Sequence, residues 1–226
     1  MSLTIVTVTK GEPFARPFLL SMSALAHAAK ADFTIGADGP EAVEALSKMT
    51  WTTDPLVIQV QSKGYIESVL EDVLYHCRTD YILRLDDDER CSVAMNLWLM
   101  SREYMAHPHW KFPRAHLWGD DKTMLTHPQL WPDHQTRLSI SSMAGGRRWI
   151  HCGSPHGGGQ EAPVILEHHK FLVKSLEERR AIVQRYDRIA HGAGSGMAIF
   201  SVPEDVVPVS QMTLAPLHNG FLEVVK

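Results

Sequence analysis

The sequence predicts an α/β protein in which a mostly parallel central sheet is flanked by helices. Short apolar runs alternate with segments of helical periodicity through the first hundred residues, as in chains built from βαβ units. Each apolar run ends in glycine or polar residues, which mark the end of a strand. The 226-residue chain is 44% hydrophobic, enough for one sizeable core, so we expect a single domain over residues 1–226.

The first predicted strand and helix follow one another at the N-terminus. Leu3 to Val8 is an apolar run that predicts a strand, and Lys10-Gly11-Glu12-Pro13 breaks it. A helix over residues 14–29 comes next, because its apolar side chains recur at helical spacing. These side chains are Phe18, Met22, Leu25 and Ala29.

Two further strands and two helices continue this alternation. Asp32 to Ala37 predicts a strand that ends at Asp38-Gly39-Pro40, and Glu41 to Lys48 predicts a short helix. Leu56 to Val60 predicts the third strand. The segment after it is the clearest amphipathic helix of the chain. Its apolar stripe consists of Ile66, Val69, Leu70, Val73, Leu74 and Cys77.

The most informative stretch is an apolar strand that ends in four consecutive acids, Asp86 to Glu89. Residues 81–85 fit a strand with at least one packed face. Like charges in a row repel one another, and two carboxylates one residue apart on an extended backbone can both reach one hard divalent cation. The sequence therefore predicts a cation site here, while a solvated acidic turn partnered by Arg90 is the alternative.

The predicted strand ends should also meet in space. In an open parallel sheet, ligands bind at the carboxyl ends of the strands. The residues at these ends are Thr7 to Thr9, Asp38, Gly64 and Asp86 to Asp88. We therefore expect them to share one cleft.

The second half is less regular and is rich in tryptophan, histidine and proline, as substrate-facing loops often are. Residues 131–138 predict the start of a helix or a loop, because Pro132 fits a first helical turn. Ser175 to Glu178 matches a capping box and so predicts the start of the last helix. The other predicted elements are a strand at 111–117, a turn at 118–121 and a short strand at 164–166.

Composition disfavours some classes of partner. The net charge of -4 gives no general attraction to phosphate backbones or anionic membranes, so nucleic acid is not an expected partner. The three cysteines are odd in number and far apart, which argues against a disulfide framework and favours a reducing compartment, the cytoplasm. No stretch approaches the length of a membrane span.

The order of these segments resembles that of glycosyltransferases with the GT-A fold, close to family 2. The first-half segments are Thr4-Ile5-Val6-Thr7-Val8-Thr9, Gly36-Ala37-Asp38-Gly39, Lys63-Gly64 and the Asp-x-Asp signature Asp86-Asp87-Asp88. Residues 131–138, 149–151, 166–170 and 175–185 look like the second half of many small bacterial and phage members. The resemblance implies a metal-dependent, inverting transferase that moves a sugar from a nucleoside-diphosphate donor to an acceptor hydroxyl.

The resemblance also implies a division of labour between the two halves. Residues 1–100 would bind the donor nucleotide, with UDP as the commonest carrier, and residues 101–226 would face the acceptor. Asp38 would hydrogen-bond the nucleobase or ribose. The full set implied for donor binding is Thr7, Thr9, Asp38, Lys63, Asp86 and Asp87. The acceptor, a glycan, a protein or a small molecule, is not identified by the sequence.

Three residues are implied as ligands of Mn²⁺ or Mg²⁺. Asp88 would bind the ion directly, Asp86 would bind the ion or the ribose, and His168 stands where a later histidine completes the shell in this family. His169 and His151 are the rival histidines. The bound ion would stabilise the negative charge that grows on the departing diphosphate.

An inverting transfer needs a general base for the acceptor hydroxyl, and the resemblance implies Asp133. The local motif is Pro132-Asp133-His134 in place of the more usual Glu-Asp pair. Asp120, Asp121 and Glu161 therefore stay open as alternatives, with a helix-capping role for Asp133. The arginines considered for the diphosphate are Arg137, Arg147 and Arg148.

Three other functions are alternatives to a glycosyltransferase for this sequence. A sugar nucleotidyltransferase would share the sheet and the carboxylates, but Lys10-Gly11-Glu12 is a poor version of its glycine-rich phosphate loop. A zinc hydrolase would suit the 13 histidines, but adjacent histidines on a strand point to opposite faces. A non-catalytic carbohydrate-binding protein would explain the tryptophans and leave the acidic strand tip unexplained.

Overall fold

The computed structural model describes residues 1–128, 130–145, 158–193 and 214–216. The strands are β1 Leu3–Thr9, β2 Asp32–Asp38, β3 Leu56–Val60, β4 Tyr81–Arg84, β5 Glu89–Cys91, β6 His109–His116, β7 Thr123–Leu125, β8 Asp133–Ile140, β9 Gln160–Glu161, β10 Leu166–His168 and β11 Leu214–Pro216. The helices are α1 Arg16–Ala29, α2 Pro40–Ser47, α3 Glu67–Leu74, α4 Val93–Ser101, α5 Lys170–Val173 and α6 Leu176–Ile189. Within these ranges no helix is both long enough and apolar enough to cross a membrane.

The central sheet is mixed. Its strand order is β3-β2-β1-β4-β8-β6-β10-β5, and β9 pairs with β6. The four strands β3, β2, β1 and β4 are parallel, as predicted. Beyond them β8 runs antiparallel to both β4 and β6, and β5 runs antiparallel to β10. The predicted α/β class is therefore found, but the sheet is not parallel throughout.

Helices cover both faces of the parallel strands. In β1, Leu3 and Ile5 belong to the core that includes α1 and α4, while Val6 and Val8 pack with α3 on the other face. Alternate residues of a strand point to opposite faces, so a strand covered on both sides is apolar throughout. This explains why the first half was predicted from runs of apolar residues.

Local sequence signals fix the ends of two helices. Helix α1 ends at Lys30, a left-handed residue with φ of 54° whose backbone N–H donates to the carbonyls of Ala26 and His27. At the start of α6, the Ser175 hydroxyl accepts a hydrogen bond from the Glu178 N–H, and the Glu178 carboxylate accepts one from the Ser175 N–H. The predicted capping box is confirmed.

The prediction for residues 131–138 was wrong. These residues contribute to β8, which lies between β4 and β6 and pairs with both. Pro132 precedes the strand, a position where a residue without an N–H disturbs no ladder hydrogen bond. Pairing with two neighbours from distant parts of the sequence decides the conformation here, so Asp133 begins a strand and caps no helix.

Gly36 on β2 offers a test of the packing between the sheet and α3. A Cβ atom at Gly36 would lie 2.6 Å from Cγ2 of Val73 and 3.1 Å from Cγ2 of Val8. Replacing Gly36 by alanine should therefore lower the free energy of unfolding by about 1–3 kcal/mol, because a well-packed core resists extra atoms. Gly145→Ala is the matched control, since no atom lies within 4 Å of its Cβ position. Urea unfolding followed by circular dichroism measures both, and equal stability of the two variants would contradict this packing.

Candidate functional site

A cleft of about 770 Å³ lies at the carboxyl ends of β1 and β4. The antiparallel β8 brings its first residue, Asp133, to the same edge of the sheet. Helix α6 forms a wall of the cleft through Ile182, Arg185 and Tyr186. This volume lies within the usual range of small-molecule sites, so the cleft is the candidate functional site.

The predicted meeting of strand ends is found for β1 and β4. The Thr9 hydroxyl donates a hydrogen bond of 2.8 Å to Oδ2 of Asp87, and both residues line the cleft. Burial, together with the neighbouring Asp88 carboxylate, raises the pKa of Asp87 to about 7. Thr9 and Asp87 thus form one polar corner of the cleft.

Three other residues predicted for donor binding do not line this cleft. Thr7 is fully buried within β1. The Asp38 carboxylate accepts hydrogen bonds from the Ser62 N–H at 2.8 Å and the Ser62 hydroxyl at 2.6 Å. Lys63 is exposed, and its backbone N–H donates to the Ser68 hydroxyl. Asp38 and Lys63 therefore have local contacts within and around the β3–α3 connection.

A charge network borders the cleft, and we define it as Arg84, Asp86, Glu89, Arg114 and Arg137. All but Glu89 line the cleft. Glu89 is fully buried, and its Oε1 accepts hydrogen bonds from Arg114 at 2.9 Å and Arg137 at 2.8 Å. Asp86 accepts from Arg84 at 2.9 Å through Oδ1 and from Arg137 through Oδ2. The network joins β4, β5, β6 and β8.

The charge network sets the ionisation of Asp86. Burial alone would raise the pKa of this carboxyl, but Arg137 and Arg84 outweigh burial and hold the pKa well below its usual range. Both oxygens of Asp86 already accept hydrogen bonds from arginine. Asp86 thus balances charge within the protein while it lines the cleft, and its expected role as a ligand of the cation or the ribose stays a prediction.

Asp88 and His168 do come together. Nε2 of His168 lies 3.3 Å from Oδ1 of Asp88, and both side chains are almost fully buried at the edge of the cleft. Burial alone would raise the pKa of Asp88, but His168 outweighs it and the pKa lies below the usual range. Burial also lowers the pKa of His168, to about 3.

The structure describes one of the two rival histidines. His169 turns away to Glu167, with a contact of 3.4 Å, and packs its ring on Phe18. His151 lies outside the described residues. Across the described parts of the chain, no three His, Cys, Asp or Glu side chains are gathered as a ready cation site. The structure thus offers a pair of candidate ligands, Asp88 and His168.

Asp133 has partners that oppose the predicted role of general base. Its Oδ2 accepts hydrogen bonds from Arg114 and lies 3.0 Å from Nε2 of His116, while its Oδ1 accepts from Gln135 at 2.7 Å. Burial alone would raise the pKa of Asp133, but Arg114 and His116 outweigh it and hold the pKa far below the usual range. Such a carboxylate is a weak proton acceptor, because efficient bases have a pKa near the working pH.

The alternative bases do not line the cleft. Asp120 accepts hydrogen bonds from the turn before β7, with Asp121 beside it, and Glu161 on β9 lies 3.0 Å from His134. Of the arginines considered for the diphosphate, Arg137 belongs to the charge network. Arg147 and Arg148 lie outside the described residues.

Sequence reasoning missed His116, Arg114 and Lys170. His116 is fully buried, and its Nδ1 lies 2.8 Å from Nδ1 of His168. Arg114 and His116 are two residues apart and so share a face of β6, and Asp133 lies opposite Arg114 in the ladder. The available signal in the sequence was that Arg114 and His116 alternate with apolar residues along one strand. Only the pairing of the strands shows which side chains they contact.

Basic side chains line the same cleft as the acids. Burial lowers the pKa of Lys170 to about 8, and Lys174 holds its ammonium 4.5 Å above the ring of Phe14. Both lysines line the cleft, together with Lys10 and Arg188. A cluster of basic side chains in the cleft is suited to an anionic ligand such as a diphosphate.

Comparison with known proteins gives a likeness of fold. No family model and no curated protein matches the sequence. Crystal structures of S. aureus TarS are similar: residues 1–349 in complex with UDP-GlcNAc match with a TM-score of 0.52 at 8% identity, over 92% of this chain and 73% of that one. TarS 1–349 matches with a TM-score of 0.50, and a longer TarS chain, of which 44% is covered, with 0.51. At this identity the likeness shows the fold alone.

The charge network can be tested through Arg137. Replacing Arg137 by glutamine leaves the buried Asp86 and Glu89 without their shared cation and should lower the free energy of unfolding by about 3–5 kcal/mol. Lys48→Gln is the control, because Lys48 and its partner Glu44 are both 69% exposed. That variant should keep nearly the stability of the wild type, because exposed ion pairs contribute little. Similar losses in both variants, measured by denaturant unfolding, would refute a special role for Arg137.

Proposed function

We propose that the chain is a GT-A-like glycosyltransferase that moves a sugar from a nucleoside-diphosphate donor to an acceptor hydroxyl, using Mn²⁺ or Mg²⁺. The observation that carries the proposal is the pair Asp88 and His168 at the edge of a cleft that also presents lysines. The fold shared with TarS, which was crystallised with UDP-GlcNAc, supports a nucleotide-sugar donor. A UDP-sugar is accordingly the first donor to test.

The Asp88 and His168 pair fits a divalent cation. Oδ1 of Asp88 and Nε2 of His168 are 3.3 Å apart. This is close to the roughly 3 Å between neighbouring ligands of an octahedral ion with bonds of about 2.1 Å. Mg²⁺ and Mn²⁺ sites in nucleotide enzymes commonly take one or two protein ligands and complete the shell with phosphate oxygens and water. Two protein ligands are therefore enough here.

The residues of the cleft divide the work of binding. Asp88 and His168 would hold the cation, which when bound supplies positive charge to offset the charge growing on the departing diphosphate. Lys170 and Lys174, which line the same cleft, would contact the phosphate oxygens. Asp87 uses Oδ2 for Thr9, and its other oxygen would accept a hydrogen bond from a ribose hydroxyl. We assign no binding role to Thr7, Asp38 or Lys63, because they do not line the cleft.

The acceptor and the stereochemical course are separate parts of the proposal. Inversion of the anomeric centre stays a prediction of the family resemblance. Arg114 and His116 make Asp133 a weak base, so the proposal assigns no residue to that role. A glycan, a protein and a small molecule remain the acceptor classes to test. The same cleft would also suit a sugar nucleotidyltransferase, which joins a sugar 1-phosphate to a nucleoside triphosphate.

Donor hydrolysis tests the proposed function. We expect the protein to release a nucleoside diphosphate from one of the common sugar nucleotides when Mn²⁺ is present and to stop when the metal is chelated. Asp88→Ala should lower this rate by about 100-fold or more, since loss of charge stabilisation at the leaving group has effects of this size.

The control for Asp88→Ala is Asp121→Ala, which removes an exposed carboxylate outside the cleft and should keep the full rate. Metal-independent turnover, or an active Asp88→Ala variant, would remove the basis of the proposed mechanism. Turnover of sugar 1-phosphate with nucleoside triphosphate, but not of nucleotide sugars, would identify a nucleotidyltransferase instead.

A further inference from the structure

Strand β3 presents an apolar edge without charge. It is the last strand on one side of the central sheet, and among the described residues only β2 pairs with it. Leu56 is 51% exposed and Val57 is 37% exposed. Sheet edges are usually protected by charged side chains, proline or bulges, because an open edge can pair with another strand. The five residues of β3 include no charge and no proline, and their ladder with β2 is regular.

The hydrogen bonds between β2 and β3 show which backbone groups face outward. The Gly39 N–H donates to the carbonyl of Val60 at 3.0 Å. Backbone groups of successive strand residues point to opposite sides of the strand, so Ile58 and Val60 direct theirs towards β2. Val57 and Gln59 consequently direct their N–H and C=O groups to the open edge. Within a sheet, only another extended strand can pair with these groups.

The side chains of β3 are complementary to those of a second, antiparallel copy. When Ile58 lies opposite Ile58 of the second copy, Leu56 lies opposite Val60. Apolar side chains then meet along the whole face of β3 that packs against α3. The same register sets Val57 opposite Gln59, the two residues whose backbone groups face outward. Such a pair exchanges two hydrogen bonds, and a two-fold axis repeats the pair.

Charges beyond the two ends of β3 distinguish between the two possible directions. The exposed Asp54 precedes the strand, and the exposed Lys63 follows it. Antiparallel pairing brings Asp54 of each copy close to Lys63 of the other, so opposite charges meet at both ends. Parallel pairing would set like charges side by side, which is unfavourable. Charge complementarity therefore favours a second copy that runs antiparallel.

We propose that β3 is an interaction surface for a second copy of this chain, which pairs β3 with β3 antiparallel and continues the central sheet across a two-fold axis. A two-fold contact of this kind is closed, so it forms a dimer. A contact built on a five-residue strand is small beside a standard interface of about 1,600 Å². We therefore expect a dissociation constant of about 1–100 µM.

Gln59 allows the backbone contact to be removed by itself. Gln59→Pro removes an outward N–H, while the hydrogen bonds to β2 come from the neighbouring residues and remain. Each copy then leaves a carbonyl of the other without its donor, so dimerisation should weaken by at least about 30-fold. Gln59→Ala keeps the N–H and is the matched control, with an affinity close to that of the wild type. Circular dichroism should show that both variants are folded.

A charge exchange tests the same contact without altering the backbone. Asp54→Lys and Lys63→Glu each bring like charges together at both ends of the paired strands, so each should weaken dimerisation by about 3- to 10-fold. The double variant restores opposite charges and should recover the wild-type affinity. Recovery would support the antiparallel arrangement. A double variant weaker than both single variants would overturn it.

Sedimentation equilibrium at concentrations between about 1 and 200 µM measures these affinities, because the dimer fraction follows mass action. Dimerisation of the wild type and of Gln59→Ala, with a monomeric Gln59→Pro, would support the proposal. A wild-type chain that stays monomeric throughout would overturn it and leave the edge to an extended segment of another protein. A folded Gln59→Pro variant that dimerises like the wild type would also overturn it, because the contact would then lie elsewhere.

Discussion

The site depends on the burial of Glu89 between two arginines. Four consecutive acids follow the carboxyl end of β4. Their mutual repulsion must be offset if the turn from β4 to β5 is to stay folded. Arg114 and Arg137 reach Glu89 from the neighbouring strands β6 and β8. A buried ion pair of this kind adds little net stability, because desolvation opposes it, but removing one partner leaves a charge that the core does not tolerate.

This arrangement sorts the four acids into different tasks. Asp86 and Glu89 are neutralised by arginine, Asp87 is turned to Thr9, and Asp88 is left at the edge of the cleft beside His168. The same guanidinium of Arg114 extends the network to Asp133, which contacts His116, and His116 in turn contacts His168. Structural charge balance and the candidate cation site are thus parts of one connected set of side chains.

Local patterns in the sequence predicted the first half well and the second half poorly. In the first hundred residues, apolar runs predicted the parallel strands and apolar stripes at helical spacing predicted the helices that cover them. The structure confirms these elements. Strand β8 was missed because its conformation depends on pairing with β4 and β6, which are distant in sequence. The family resemblance led us to expect Asp88 close to His168, and the two side chains do lie together. The ion pairs of Asp86 with Arg84 and Arg137 depend on side-chain directions, which the spacing of residues in the sequence does not give.

The central claim is that the acidic tip of β4 leaves one carboxylate, Asp88, to share a divalent cation with His168. Crystals grown with Mn²⁺ and a nucleoside diphosphate, measured at the manganese absorption edge, test it most directly. The account predicts an anomalous peak that touches Oδ1 of Asp88 and Nε2 of His168, with the diphosphate beside it in the cleft. A peak bound by other side chains, with Asp88 and His168 unchanged, would contradict it.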